Sequence, residues 1–153
     1  VYAYHNWQQL KKQGLSYQCI LEFHASYKYC LMAHTPTHYV ELGRLLADAG
    51  KHDIYDLAER YFSLLMENLS VLATRKTHTN VLMHLQGYLK KVLSAKEKQE
   101  LGKLIEQYRT HQVPLIVPIT LLKHHFNNHP DPYIEKQAYL QPYPDDLSLR
   151  NAI

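Results

Sequence analysis

Apolar residues that recur at intervals of three and four, with almost no alternating run of the kind a strand requires, constrain this chain more than any other feature. Leu57, Ala58, Tyr61, Leu64, Leu65 and Leu72 form one such row, and Leu101, Leu104, Ile105 and Tyr108 form another. A period near 3.6 places each row on one face of an α-helix. The punctuation agrees. Gly14 and Gly50 suit helix C-terminal caps, and Thr35-Pro36 and Asp131-Pro132 each read as an N-cap followed by proline at the first helical position. Ser94-Ala95-Lys96-Glu97 is a capping box. The pattern predicts helices over 3–13, 16–34, 36–49, 54–73, 78–93, 95–111, 115–128 and 131–140, then an irregular tail, QPYPDDLSLRNAI. Pro114 and Pro118 are four apart, so the second would leave the carbonyl of the first unbonded if both were helical; a distorted or late-starting helix is expected there. Short connections favour antiparallel neighbours. The expected fold is all-α, a compact bundle of about seven to eight helices forming one domain over residues 1–153.

The composition fits a globular chain: 46% of residues are hydrophobic and 20% charged, enough apolar surface to fill a core. A net charge of +3 with neutral histidines permits an acidic partner without requiring one. No apolar run approaches the roughly 18 residues of a membrane span, and VYAYHNWQQLKK lacks the apolar core of a signal peptide. A soluble, cytoplasmic protein is the expectation. The two cysteines, Cys19 and Cys30, fall on one predicted helix at about 16 Å separation, too far to bridge, and are expected to be thiols.

The stretch THTNVLMHLQGY carries the densest set of polar groups. Val81, Leu85, Leu89 and Val92, with Leu82 and Leu93, make it a core helix, while Asn80, His84, Gly87 and Lys91 form a second stripe. His78 and His84 lie about 120° apart around such a helix and are poor joint ligands for one ion. Gly87 costs a helix about 1 kcal/mol relative to alanine, which suggests either a close-packed backbone or room for a ligand. The segment FHASYKYCLMAH sets His24, Tyr27, Lys28, Leu31 and His34 on adjacent rows, and LLKHHFNNH offers Lys123, His124, His125 and His129. His125 and His129 have the four-residue spacing that lets two imidazoles share a cation, but no HExxH, CxxC or acidic cluster accompanies them. Nor is there a GxSxG, a phosphate-binding glycine loop, or a cysteine beside a local base. No catalytic residue, metal or cofactor is assigned.

Nucleic-acid binding fares better. Lys28, Arg44, Arg75, Lys76, Lys90, Lys91, Arg109 and Lys123 sit near polar or turn ends of the predicted helices, where they could neutralise phosphates. Thirteen tyrosines against three phenylalanines supply rings able to stack on unpaired bases, and Asn, Gln and His can read base edges.

The motifs FHASYKYCLMAH, ELGR, THTNVLMHLQGY, YRTHQVPLIVPITLLKHH and YLQPYPDDLSLRNAI resemble, in the same order, the YbgA-like family, with the clearest match over 23–149. That family's domain occurs alone or joined to a thiouracil-desulfurase-type desulfidase domain holding an iron-sulfur cluster. The resemblance implies an accessory role, gripping RNA, and transfer RNA in particular, for a desulfidase-type partner. Desulfidase activity itself does not carry over, because the cysteine set of the catalytic part is missing. The candidate surface that carries over is His24, Tyr27, Lys28, Arg44, His78, Asn80, His84, Gln86, Tyr88, Arg109, Lys123 and His124. Two other readings are open: a small metal-dependent or histidine-based enzyme using the same groove, and a module that docks a separately encoded enzyme.

Overall fold

The expected all-α architecture is what the computed structural model shows: residues 1–141 are described, and they contain helices and turns with no strand among them. The chain divides into two compact units, Val1–Leu72 and Ala73–Ile153.

The first unit holds α1 (Tyr2–Gln13), α2 (Tyr17–Ser26), α3 (Lys28–His34), α4 (Pro36–Ala47), a short 3-10 turn (Ala49–Lys51) and α5 (Ile54–Ser70). Gly14 follows α1 at φ 113°, a conformation that favours glycine, and the Ser16 side chain then accepts from the Cys19 amide to start α2. The helix expected over 16–34 is two helices, interrupted at Tyr27. Gly50 is not the cap of α4; Asp48 is, and Gly50 lies in the 3-10 turn. Pro36 occupies the first turn of α4 as expected, although Thr35 makes no side-chain capping bond. Cys19 and Cys30 are half-buried thiols.

What holds this unit together is an aromatic cluster around Trp7. Its ring stacks on Tyr61 at 5.3 Å and on Phe62 at 5.9 Å, and meets Phe23 edge-on at 5.2 Å. Ile20, Leu31, Leu42, Leu57 and Leu65 are buried beside it. Leu72 leaves the predicted row: α5 ends at Ser70, and Leu72 is 86% exposed. Two polar side chains tie the ends of α3 and α5. Buried Asn68 donates Nδ2–H to the Thr35 carbonyl at 3.0 Å, and the His34 ring Nδ1–H donates to the Val71 carbonyl at 2.6 Å.

The second unit holds α6 (Arg75–Tyr88), α7 (Ala95–Arg109), α8 (Ile116–Asn128) and α9 (Pro132–Glu135). α6 begins three residues before the predicted start, because Thr74 and Thr77 form a reciprocal capping box. It also ends early: 89–93 is a series of turns that still buries Leu89 and Leu93. α7 opens on the Ser94/Glu97 capping box as predicted. It closes on a 6→1 bond from the Gln112 amide to the Gln107 carbonyl and a 5→2 bond from the His111 amide to the Tyr108 carbonyl. His111, at φ 65°, stands where such motifs usually place glycine. α8 starts late, with Pro118 in its first turn, where a missing amide donor costs no helical bond. α9 is shorter than expected, capped by Asp131, whose side chain accepts from the Tyr133 and Ile134 amides. The core is built from α6, α7 and α8 packed pairwise, with Val81, Leu82, Leu85, Leu101, Ile105, Tyr108, Leu115 and Leu122 buried. Most of the predicted tail, 142–153, lies outside the described residues.

Candidate nucleic-acid interface

The twelve candidate residues fall in both units. In the first, His24 is half-buried: its ring is stacked parallel on Tyr39 at 5.2 Å, and Nδ1 is hydrogen-bonded to the Tyr61 hydroxyl at 3.1 Å. Burial pushes its pKa down to about 4, so it is a neutral imidazole at pH 7. Tyr27 is buried, its ring stacked on Phe23 at 4.6 Å and its hydroxyl accepting from Asn6 Nδ2 at 2.7 Å. Both rings are committed inside the fold. Lys28 lays its ammonium 5.3 Å from the Tyr29 ring centroid. Arg44 is exposed on α4, in an open depression it shares with Glu41, whose charge opposes its own.

The His24 environment has a measurable consequence. A group whose folded pKa lies below its unfolded value of 6.5 adds no penalty above that pH. As pH falls from about 6.5 to about 4 the unfolded chain takes up the proton first, and stability declines until the folded pKa is passed. The expected loss across this window is about 2 kcal/mol, discounted for the part of the ring that water reaches. Trp7 is the single tryptophan and stacks on Tyr61, so its emission in urea titrations reports this unit. His24→Gln should flatten the pH slope; an unchanged slope would rule out His24 as its source.

In the second unit, the two histidines of α6 part company. His78 is buried and its Nδ1 is hydrogen-bonded to the Tyr139 hydroxyl at 2.8 Å, while His84 is exposed. Gln86 is half-buried, with Nε2 3.5 Å from the position a Cβ on Gly102 would take. Among the described residues nothing fills the close-packing role considered for Gly87, since a Cβ there would meet none of their atoms within 4 Å. Arg109 is bound through Nε and Nη2 to both carboxylate oxygens of Glu106, and these bonds hold the Glu106 carboxyl below its usual range. Its charge is spent locally. Lys123 is half-buried on α8, beside Phe126, Ile134 and Glu135, and His124 is exposed, with Nε2 3.3 Å from Asn128 Nδ2.

His125 is buried, and burial pushes its pKa down, with the Glu97 carboxylate opposing. Among the described residues no group of three or more His, Cys, Asp or Glu side chains is placed to hold a metal ion. No helix among them is long and apolar enough to cross a membrane.

The exposed polar residues of this unit that the sequence pointed to lie on α6 and just after it. Lys76, Asn80, Met83 and His84 are all exposed along one face of α6, and Lys90 and Lys91 are exposed in the turn that follows. The three lysines make no ion pair, and Asn80 and His84 no side-chain hydrogen bond, with any described residue. At the end of this face the Tyr88 ring is 41% exposed and lies near-parallel to Tyr133, 6.3 Å away and 17° apart. Tyr133 was not singled out from sequence; only the tyrosine excess hinted at it.

The family described as "Protein of unknown function (DUF1722)" matches residues 28–144. The chain is also 33% identical over 153 residues, 99% of its length and 90% of the relative's, to "Uncharacterized protein YbgA" of Escherichia coli (strain K12). The chain belongs to the YbgA-like family. No solved structure matches it. The family match begins at Lys28, the first residue of α3, and so takes in the exposed α6 face and the Tyr88–Tyr133 pair of this YbgA-like chain.

Proposed function

We propose that this YbgA-like chain is a non-catalytic nucleic-acid-binding protein that holds RNA, with transfer RNA as the first candidate, for a desulfidase-type partner. The observation that supports it is the α6 face: exposed Lys76, Asn80 and His84, followed by exposed Lys90 and Lys91, with no carboxylate among the described residues paired to these lysines. One ammonium on α6 and two in the turn that follows can neutralise phosphates, while the amide and imidazole on the same helix as Lys76 can accept from or donate to bases and sugars. Of the twelve candidates, Asn80, His84 and Tyr88 belong to this face. His24, Tyr27 and His78 are hydrogen-bonded within the fold, and Arg109 is a local ion-pair partner.

Three lysines engaging three phosphates of a single strand give a slope of log affinity against log salt near −2, so transfer RNA affinity should fall about twenty-fold between about 50 and 200 mM salt. Substituting Lys76, Lys90 and Lys91 together by alanine should remove most of that slope without changing helicity. A flat salt response in the unsubstituted protein would overturn the proposal.

Met83, 58% exposed in the middle of the face, favours a second reading in which α6 docks a protein. Apolar docking is only weakly weakened by salt, and Met83→Asp would abolish it while leaving the salt slope for RNA in place.

A further inference from the structure

Independently of the α6 face, we infer that the first unit carries a site for a small, uncharged aromatic molecule with one N–H or O–H donor, in the pocket formed where α2 starts and where the chain enters α5. This pocket has a volume of about 500 Å³, within the range of small-molecule sites. Its lining is mostly apolar: Leu15, Ala49, Ile54 and Leu57, with the ring of Tyr17. The Tyr17 hydroxyl donates to the Leu46 carbonyl at 2.8 Å, which spends the polar end and holds the ring in place. That ring is 42% exposed and meets no aromatic ring among the described residues. A fixed, open ring beside aliphatic side chains takes another flat ring by stacking.

Charge selects what can enter. No Asp, Glu, Lys or Arg lines the pocket, although residues 48–56 are dense in them. Each nearby charge is engaged elsewhere: Lys51 pairs with Asp48 at 3.0 Å, Asp53 accepts from the Tyr55 amide at 3.0 Å to cap α5, and Asp56 pairs with Arg60 at 3.2 Å. A charged ligand would lose hydration here without gaining a counter-charge, and an uncharged one loses far less. The Ser16 hydroxyl is committed to Cys19, so His52 is the lining side chain left for a hydrogen bond. Its Nδ1 lies 3.7 Å from an Asp56 carboxylate oxygen, and it makes no side-chain hydrogen bond to a described residue. A carboxylate on that side favours the proton on Nδ1, which leaves Nε2 as an acceptor for a ligand N–H or O–H. Gly50 adds room. Its φ is outside the left-handed region and a Cβ there would meet no described atom within 4 Å, so neither backbone nor packing demands a glycine.

The test is a titration of the full chain with indole, followed by amide chemical shifts. Expected are saturable shifts centred on Gly50, His52 and Ile54, with a Kd of about 1 mM or tighter. N-methylindole, which lacks the donor, should bind about five-fold more weakly, and indole carrying a carboxylate about ten-fold more weakly. N-acetyltryptophanamide carries the same ring on a peptide backbone and should bind no tighter than indole; tighter binding by about ten-fold would assign the site to a partner protein's side chain and overturn the small-molecule reading. Gly50→Phe, which puts a ring into the lining, should weaken indole binding at least about ten-fold, while Gly50→Ala stays within about two-fold. The ligand series uses the unaltered protein, so it decides the matter even if Gly50→Phe fails to fold. Shifts that do not saturate or that spread over both units, or equal affinity for indole and its carboxylate, would overturn the inference; RNA binding by the α6 face would be untouched by that result.

Discussion

Trp7→Ala is expected to lower the unfolding free energy by about 3–5 kcal/mol, the range for removing a fully buried large aromatic side chain. Trp7 is 1% exposed, and three rings, Phe23, Tyr61 and Phe62, touch it from α2 and α5. Those neighbours are themselves rigid and engaged: Phe23 stacks on Tyr27, and Tyr61 is bonded to His24. They cannot collapse into the vacated space, so both the lost transfer energy and the cavity contribute. Urea denaturation followed by far-ultraviolet circular dichroism should show the midpoint falling, and amide exchange should quicken first in α1 and α5. A loss below about 1 kcal/mol would mean that Trp7 is not the centre of this core.

Arg75→Ala should cost about 2–3 kcal/mol, and Arg75→Lys should recover little of it. The Arg75 guanidinium lies 4.4 Å from the Tyr108 ring centroid, and its Nη1 donates to the Tyr108 carbonyl at 2.6 Å and toward the Val113 carbonyl at 3.5 Å. Arg75 sits at the first position of α6, and the carbonyls it bonds are at the end of α7 and beyond. It thus staples two helices of one unit. A lysine keeps the charge but has neither the planar fork nor the flat face that stacks on tyrosine. The substitutions also separate structure from binding: Arg75 looked like a phosphate contact in sequence, and a phosphate contact would tolerate lysine. Thermal denaturation of the two variants decides it, with equal melting temperatures for Arg75→Lys and the parent protein counting against the staple.

The fold was legible where local chemistry dictated it. Ser94 with Glu97, Asp131 before Pro132, and the Pro114/Pro118 pair each act within a few residues, and each did what its spacing implied. The interruption at Tyr27 was not legible, because no proline or glycine marks it and the apolar rows run through it; Tyr27 is instead held by Phe23 and by Asn6, twenty-one residues away in sequence. The early start of α6 was hidden by threonine standing at the position where a capping box usually shows Glu or Gln. For the candidate site, helical spacing correctly separated His78 from His84 but could not say which of them water reaches. That depends on Tyr139, sixty-one residues from His78. The same limit applies to His24, whose covering rings, Tyr39 and Tyr61, come from α4 and α5.

The Trp7 cluster also bears on how the chain reaches its fold. Apart from it, the main packing partners are close in sequence: α3 with α4 and α5, and α6 with α7 and α8. Such neighbours meet after closing short loops, which costs little entropy and allows rapid assembly. Trp7 differs, because its contacts with Tyr61 and Phe62 close a loop spanning most of the first unit. Docking of α1 is accordingly the entropically dearest step there, and the broad stacked faces of the cluster are what make that late closure worthwhile.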